Sequence, residues 1–224
     1  LVDAAQKEIH ATGACTQVPS SGEVRRGRGI AVMRMKLNSP LIMVFIIAIV
    51  CLVIFYFESC ERVSKEDFGV KGGKVLVEPW RFMTFMFTHD GVGHLLMNLT
   101  ALALVGSLAL GLGLSGLSFA AVFLVVGPLT VMPAILLSSP YTFVGASAGI
   151  SGLFGAISVR LKRYGFSAVP FFIIFAIALT ATPAAEALYS QSAAAATQAS
   201  MHFLALVLGA GLAVSYRYRR PRRW

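Results

Sequence analysis

The chain has 224 residues, of which 57% are hydrophobic and only 13% charged, with a mean hydropathy of +0.76. A water-soluble domain carries roughly 25% charged residues, so the composition excludes that class and indicates a polytopic membrane protein. The net charge of +9 is gathered between apolar runs and at the ends, which reports membrane topology and argues against nucleic-acid binding.

Residues 1–38 are polar, rich in Gly, Ser and Arg and without periodicity; they read as a disordered cytoplasmic tail. The chain does not begin with Met, and Met33 or Met35 is a candidate natural start. The first apolar run is too long for a signal peptide and lacks a small-residue cleavage site. Residues 39–216 read as an all-α membrane domain of about six spans, from the length each crossing needs. The spans fall at about 41–57, 94–112, 117–137, 143–159, 168–182 and 201–216, the third bent at Gly127-Pro128 and Pro133. Residues 217–224 form a basic cytoplasmic tail. The Ala/Gln/Ser-rich stretch 191–198 reads as a flexible loop. Cys15, Cys51 and Cys60 are odd in number and lack metal-ligand spacing, so neither a disulfide framework nor a zinc site is expected.

Orientation follows from Lys and Arg near the span ends. Arg25, Arg26, Arg28, Arg34 and Lys36 flank the first span, Arg160, Lys162 and Arg163 follow the fourth, and five arginines close the chain. These regions face the cytoplasm if the chain makes six crossings with both termini inside. The mixed-charge loop between the first two spans, and the nearly uncharged third and fifth loops, then face outside. Spans two, four and six all run inward. His94, Asn98, Ser147 and His202 therefore share one depth, near the outer surface.

The segment Gly145-Ala146-Ser147-Ala148-Gly149 places a serine among small residues in an apolar run, and His202 supplies a base in another. Ser147, Ser151 and Gly155 share one helical face. His202, Ala205, Gly209 and Ala213 form a second small-residue stripe, the pattern that lets two membrane helices approach closely. Close approach is what a serine–histidine hydrogen bond requires. Taken singly, each residue has a plainer reading. Membrane serines commonly bond their own helix, and an intramembrane histidine more often marks packing, an ion path or a ligand. The Gly-x-Ser-x-Gly string matches a soluble-hydrolase motif, but no strand precedes it and no acid completes a triad, so that fold is rejected. The joint depth of the serine and histidine favours peptide-bond hydrolysis within the bilayer.

These residues resemble the rhomboid family of intramembrane serine proteases from about Glu78 to the end of the last span. Three motifs carry the resemblance in the family's order. They are Trp80-Arg81 with Thr84, His89 and His94-Leu95-Leu96-Met97-Asn98; Gly145-Ala146-Ser147 with Gly149, Gly152 and Gly155; and His202 with Gly209. The resemblance implies a six-helix rhomboid-like bundle with Ser147 as nucleophile and His202 as general base, a dyad without a carboxylate. It implies oxyanion stabilisation by His94, Asn98 and the Ser147 backbone N–H. Ser151 is expected to pack under the histidine, Gly145 and Gly149 to support the serine turn, and Trp80 and Arg81 to shape the outer rim. Three positions depart from the family pattern: Ala148 follows the serine where glycine is frequent, Leu110 replaces a frequent glutamate, and Phe203-Leu204-Ala205 follow the histidine where a small residue is common.

The expected activity is a serine-type endopeptidase. Its expected partners are single-span membrane substrates and the lipid bilayer, with no nucleic acid; it uses no metal or cofactor, and the plasma membrane is the expected location. The sequence leaves oligomeric state open. Three alternatives are weighed: a catalytically inactive rhomboid-like protein that binds or extracts membrane clients, a small transporter or channel, and a metal site at His89, His94 and His202. A transporter predicts ionisable side chains deep in the bundle and an internal repeat, and neither is present in the sequence. A three-imidazole site lacks carboxylate or thiolate support.

Overall fold

A computed structural model describes residues 38–137 and 139–219, with side chains described to Ser215. Most of the expected N-terminal tail, and the last residues of the basic C-terminal tail, lie outside the described residues. The described chain is all-helical. In order it forms α1 (Pro40–Ser59), α2 (Lys65–Phe68), α3 (Arg81–Thr84), α4 (Val92–Gly111), α5 (Gly116–Leu129) and α6 (Met132–Leu136). Then come α7 (Ser147–Arg160) with a 3-10 turn at Leu161–Tyr164, α8 (Ala168–Ser190) and α9 (Ala193–Arg219). The only extended pairing among the described residues is an isolated bridge between Val70 and Phe143.

Five segments are long and apolar enough to cross a membrane: Pro40–Ser59, Val92–Gly111, Gly116–Leu136, Ala168–Ser190 and Ala193–Ser215. The first is wholly uncharged until its last turn and starts at Pro40 behind a Ser39 cap that accepts from Leu41 N–H, the favoured placement of proline and serine at a helix start. The third is interrupted at Thr130-Val131, two residues beyond Pro128, as its prolines predict.

The fourth expected span is different. α7 has 14 residues, about 21 Å of helix, against a hydrocarbon core of about 30 Å. Residues 143–146 are not helical, so Ser147 is the first residue of α7 instead of lying a turn inside it. α7 is buried almost all round, from Ala148 to Val159, with α9 as its most extensive neighbour and α5, α8 and α4 completing the sheath. Its glycines make this possible. A Cβ on Gly155 would overlap the Leu206 carbonyl of α9, and one on Gly209 of α9 would overlap the Gly152 carbonyl. Gly149 lies against the Phe123 ring of α5. Backbone-to-backbone contact with α9, and room for an α5 side chain on another side, is therefore what this small-residue composition encodes.

Two boundaries correct the sequence reading. α8 does not stop near residue 182 but continues through Pro183 to Ser190. The stretch 191–198 is not a loop: only Gln191 and Ser192 link the helices, and Gln191 adopts a left-handed conformation at φ 51° to turn the chain. α9 begins at Ala193, so His202 lies about two and a half turns along its helix, not at its start. Alanine-rich sequence is weakly hydropathic but the best helix former, so hydropathy alone places the boundary too late.

The loop between α1 and α4 is tied down by Arg81. Its side chain is buried, pairs with Glu78, and donates from Nη1 to the carbonyls of Glu66 (2.6 Å) and Gly69 (2.7 Å). Thr84 Oγ1 donates to the Phe68 carbonyl at 2.8 Å. The same loop grips the segment before α7. Val70 and Phe143 exchange both backbone hydrogen bonds, and Thr142 Oγ1 donates to Glu66 at 2.6 Å.

Candidate functional site

At one end of the bundle, α7 begins below the level of its neighbours and leaves a cavity of about 320 Å³. Ser147, His202, His94, Gly145, Gln198 and Met201 are among the residues that line it. Ser147 Oγ lies 2.9 Å from His202 Nε2. His202 is 8% exposed, and its Nδ1 lies 3.0 Å from the Leu179 carbonyl of α8. A carbonyl only accepts, so Nδ1 carries the proton. That leaves Nε2 with a lone pair, and the serine hydroxyl donates to it. The geometry alone thus selects the tautomer in which the histidine accepts from the serine.

Ser147 owes its position to the turn before it. Gly145 has φ +116°, a region that side chains rarely adopt, and its N–H donates to the Phe85 carbonyl at 2.8 Å. A Cβ on Gly145 would lie 2.8 Å from the His94 imidazole. Glycine is therefore needed both for the turn and for His94 to reach it. Ala146, the residue before α7, makes no side-chain cap, so the first N–H groups of the helix, including that of Ser147, have no intrahelical partner.

His94 stands on the first turn of α4. The Asp90 backbone N–H approaches its Nδ1 at 3.4 Å, which leaves Nε2 as the N–H donor facing Gly145. Asn98, one turn below and buried, donates from Nδ2 to the His94 carbonyl at 2.9 Å. Nδ2 also lies 3.5 Å from where a Gly145 Cβ would stand. His89 packs edge-on to His94 with ring centroids 5.3 Å apart. It is 3% exposed, and neither ring nitrogen has a hydrogen-bond partner among the described residues. Burial, with the nearby His94 as a lesser cause, pushes its pKa down to about 4.

The other expected residues fall around this centre. Ser151 is fully buried one turn below Ser147, its hydroxyl without a partner among the described residues. Gly149 admits Phe123, and Ala148 is buried on the cavity wall. Trp80 is exposed on the loop between α1 and α4, its indole N–H 3.4 Å from the Asp67 carbonyl. Arg81 is inside the loop it holds, not at its rim. Leu110 is exposed at the far end of α4, remote from this loop in the fold. No group of three metal-ligating side chains gathers among the described residues; the His202 ring is engaged by Ser147 and Leu179. Sequence reasoning missed Leu179, Phe85, Gln198 and Met201. The first two act through backbone carbonyls, which carry no side-chain signature. Gln198 sits on a turn of α9 read as loop, and Met201 at the expected start of the last span carries no polar group to single it out.

An all-helical membrane bundle that sinks a hydrogen-bonded Ser–His pair at one end defines the class of integral membrane proteins to which this molecule belongs. The Rhomboid domain family model matches residues 77–220, and the chain belongs to the rhomboid family. No curated protein matches the chain.

Proposed function

We propose that this protein is an intramembrane serine endopeptidase that cleaves transmembrane helices near the outer leaflet. The observation that carries the reading is the 2.9 Å contact between Ser147 Oγ and His202 Nε2, with the tautomer fixed from the other side of the ring. In this reading α7, with its flanking segments, makes the fourth of six crossings, and both termini face the cytoplasm, as the basic flanks require. The cell membrane is the location that fits.

A single-span substrate docks from the side and unwinds locally, because a helical peptide hides its carbonyl carbon. Unwinding in lipid strands backbone groups, so the polar cavity above α7 is where an unwound segment finds partners. His202 Nε2 takes the Ser147 proton as Oγ attacks the scissile carbonyl. The oxyanion accepts from the Ser147 backbone N–H and from His94 Nε2–H. Asn98 holds the His94 turn and stands beside the same site. Such donors are worth about 10²–10³ in rate each. His202 returns its proton to the leaving amine, and water then hydrolyses the acyl-enzyme with His202 again as base. No metal or cofactor takes part.

The test is cleavage of a single-span fluorescent reporter by the reconstituted protein. Wild type cleaves, while Ser147→Ala and His202→Ala each lose about 10³-fold or more. Equal cleavage by wild type and Ser147→Ala would refute the reading. Absence of cleavage by wild type across reporters with Gly or Pro near the outer end would favour the client-binding alternative.

A further inference from the structure

In an α-helix each carbonyl accepts from the N–H four residues later. Proline has no N–H. Pro183 lies inside α8 and is buried, so the carbonyl four residues before it, that of Leu179, lacks the N–H that would ordinarily hold it. That same carbonyl lies 3.0 Å from His202 Nδ1. The neighbouring hydroxyl does not compete for it, because Thr180 Oγ1 donates to the Ala176 carbonyl at 2.6 Å. The acid that α8 carries nearby, Glu186, is exposed, and no carboxylate bonds His202 among the described residues. His94 is the other titratable group facing this ring.

We propose that Pro183 is a positioning residue for the dyad: by withholding an N–H it frees the Leu179 carbonyl to accept from His202 Nδ1–H. The carbonyl thereby does what the carboxylate does in a three-residue triad, fixing ring orientation and tautomer. A helix-interior proline normally costs stability. Here the stranded carbonyl and the buried imidazole satisfy each other, so the defect in α8 and the missing acid of the dyad are one feature. Without the proline the same carbonyl would be shared with an N–H of its own helix, which would loosen its hold on Nδ1–H and on the ring's orientation.

The inference rests on the protease reading for its consequence in rate, but not for its structural test. The test uses the full-length protein with ¹⁵N-labelled histidine, and the His202 ring signals are assigned by difference against His202→Ala. In wild type a single tautomer is expected, with Nδ1 protonated and Nε2 bare. Pro183→Ala, which supplies an N–H to Leu179 and suits the helix, is expected to mix the tautomers. It should also lower kcat about 10–100-fold, within the range general-base catalysis contributes, with KM within about twofold. Pro183→Leu, closer in volume, is expected to behave alike. Pro183→Ala combined with Ala184→Pro keeps a proline in the helix but frees the Thr180 carbonyl instead, and should stay impaired. An unchanged tautomer in Pro183→Ala, or full recovery in the combined variant, would overturn the proposal; recovery would mean that the helix bend matters and not the carbonyl. A wild type that shows the expected tautomer but never cleaves would refute the protease reading and leave the positioning inference standing.

Discussion

At the scale of single residues, much of the site is legible because its chemistry is written in side chains. Ser147 and His202 stand out as polar groups in apolar runs, and Gly145 as the glycine two positions before the serine. What is not legible is the backbone's share. The Leu179 and Phe85 carbonyls matter for where they point, and any residue in those places presents one. Proline is the exception, since inside a helix it withholds the N–H from the carbonyl four positions earlier, but a reading that ends the helix before Pro183 does not see that mark. His89 yields a prediction with a definite sign. Its folded pKa of about 4 lies below the value of about 6.5 expected in an unfolded chain. Between these values the unfolded state binds more protons, so stability is full above pH ~6.5 and falls as the pH drops toward 4. The slope from this one group is at most about 1.4 kcal/mol per pH unit. Thermal unfolding in detergent across pH 4–8 should show the fall, and His89→Phe should flatten it. Identical profiles would mean that His89 is not held neutral by burial.

At the scale of elements, hydropathy located the apolar cores of the helices but not their ends. It missed the start of α9 because Ala193 to Gln198 has helix propensity without strong hydropathy, and it stopped α8 at Pro183 because proline in mid-helix reads as an end. The small-residue stripes were a better guide, and they converge on the α7–α9 contact. Gly209 and Gly211 make that contact testable. A side chain on Gly209 would meet the Gly152 backbone, whereas Gly211 has open space around it. Gly209→Val should destabilise by about 1–3 kcal/mol or more, since backbone yields less readily than a side chain. It should also lower activity by moving His202 from Ser147. Gly211→Val should change stability by only a few tenths of a kcal/mol. Urea or thermal unfolding of the two variants in the same detergent decides this, and equal effects would sink the account of the interface.

At the scale of the whole molecule, the depth argument made from loop charges agrees with the geometry in one respect. His94, Ser147 and His202 meet at the end of the bundle that also holds the 60–91 loop. Which side of the membrane that end faces is the remaining expectation, and Cys60 reports on it. It is a free, exposed thiol just after α1, whereas Cys51 is buried. In a Cys15→Ser background a membrane-impermeant maleimide should label Cys60 in intact cells; labelling only after permeabilisation would invert the topology. The central claim remains that Ser147 is a nucleophile activated by His202, and covalent capture tests it most directly. The protein is treated in detergent with a fluorophosphonate, and the modified residue is located by peptide mass. The account predicts one adduct, on Ser147, in wild type, and its loss in both Ser147→Ala and His202→Ala. No adduct in wild type, or an adduct that persists in His202→Ala, would contradict it.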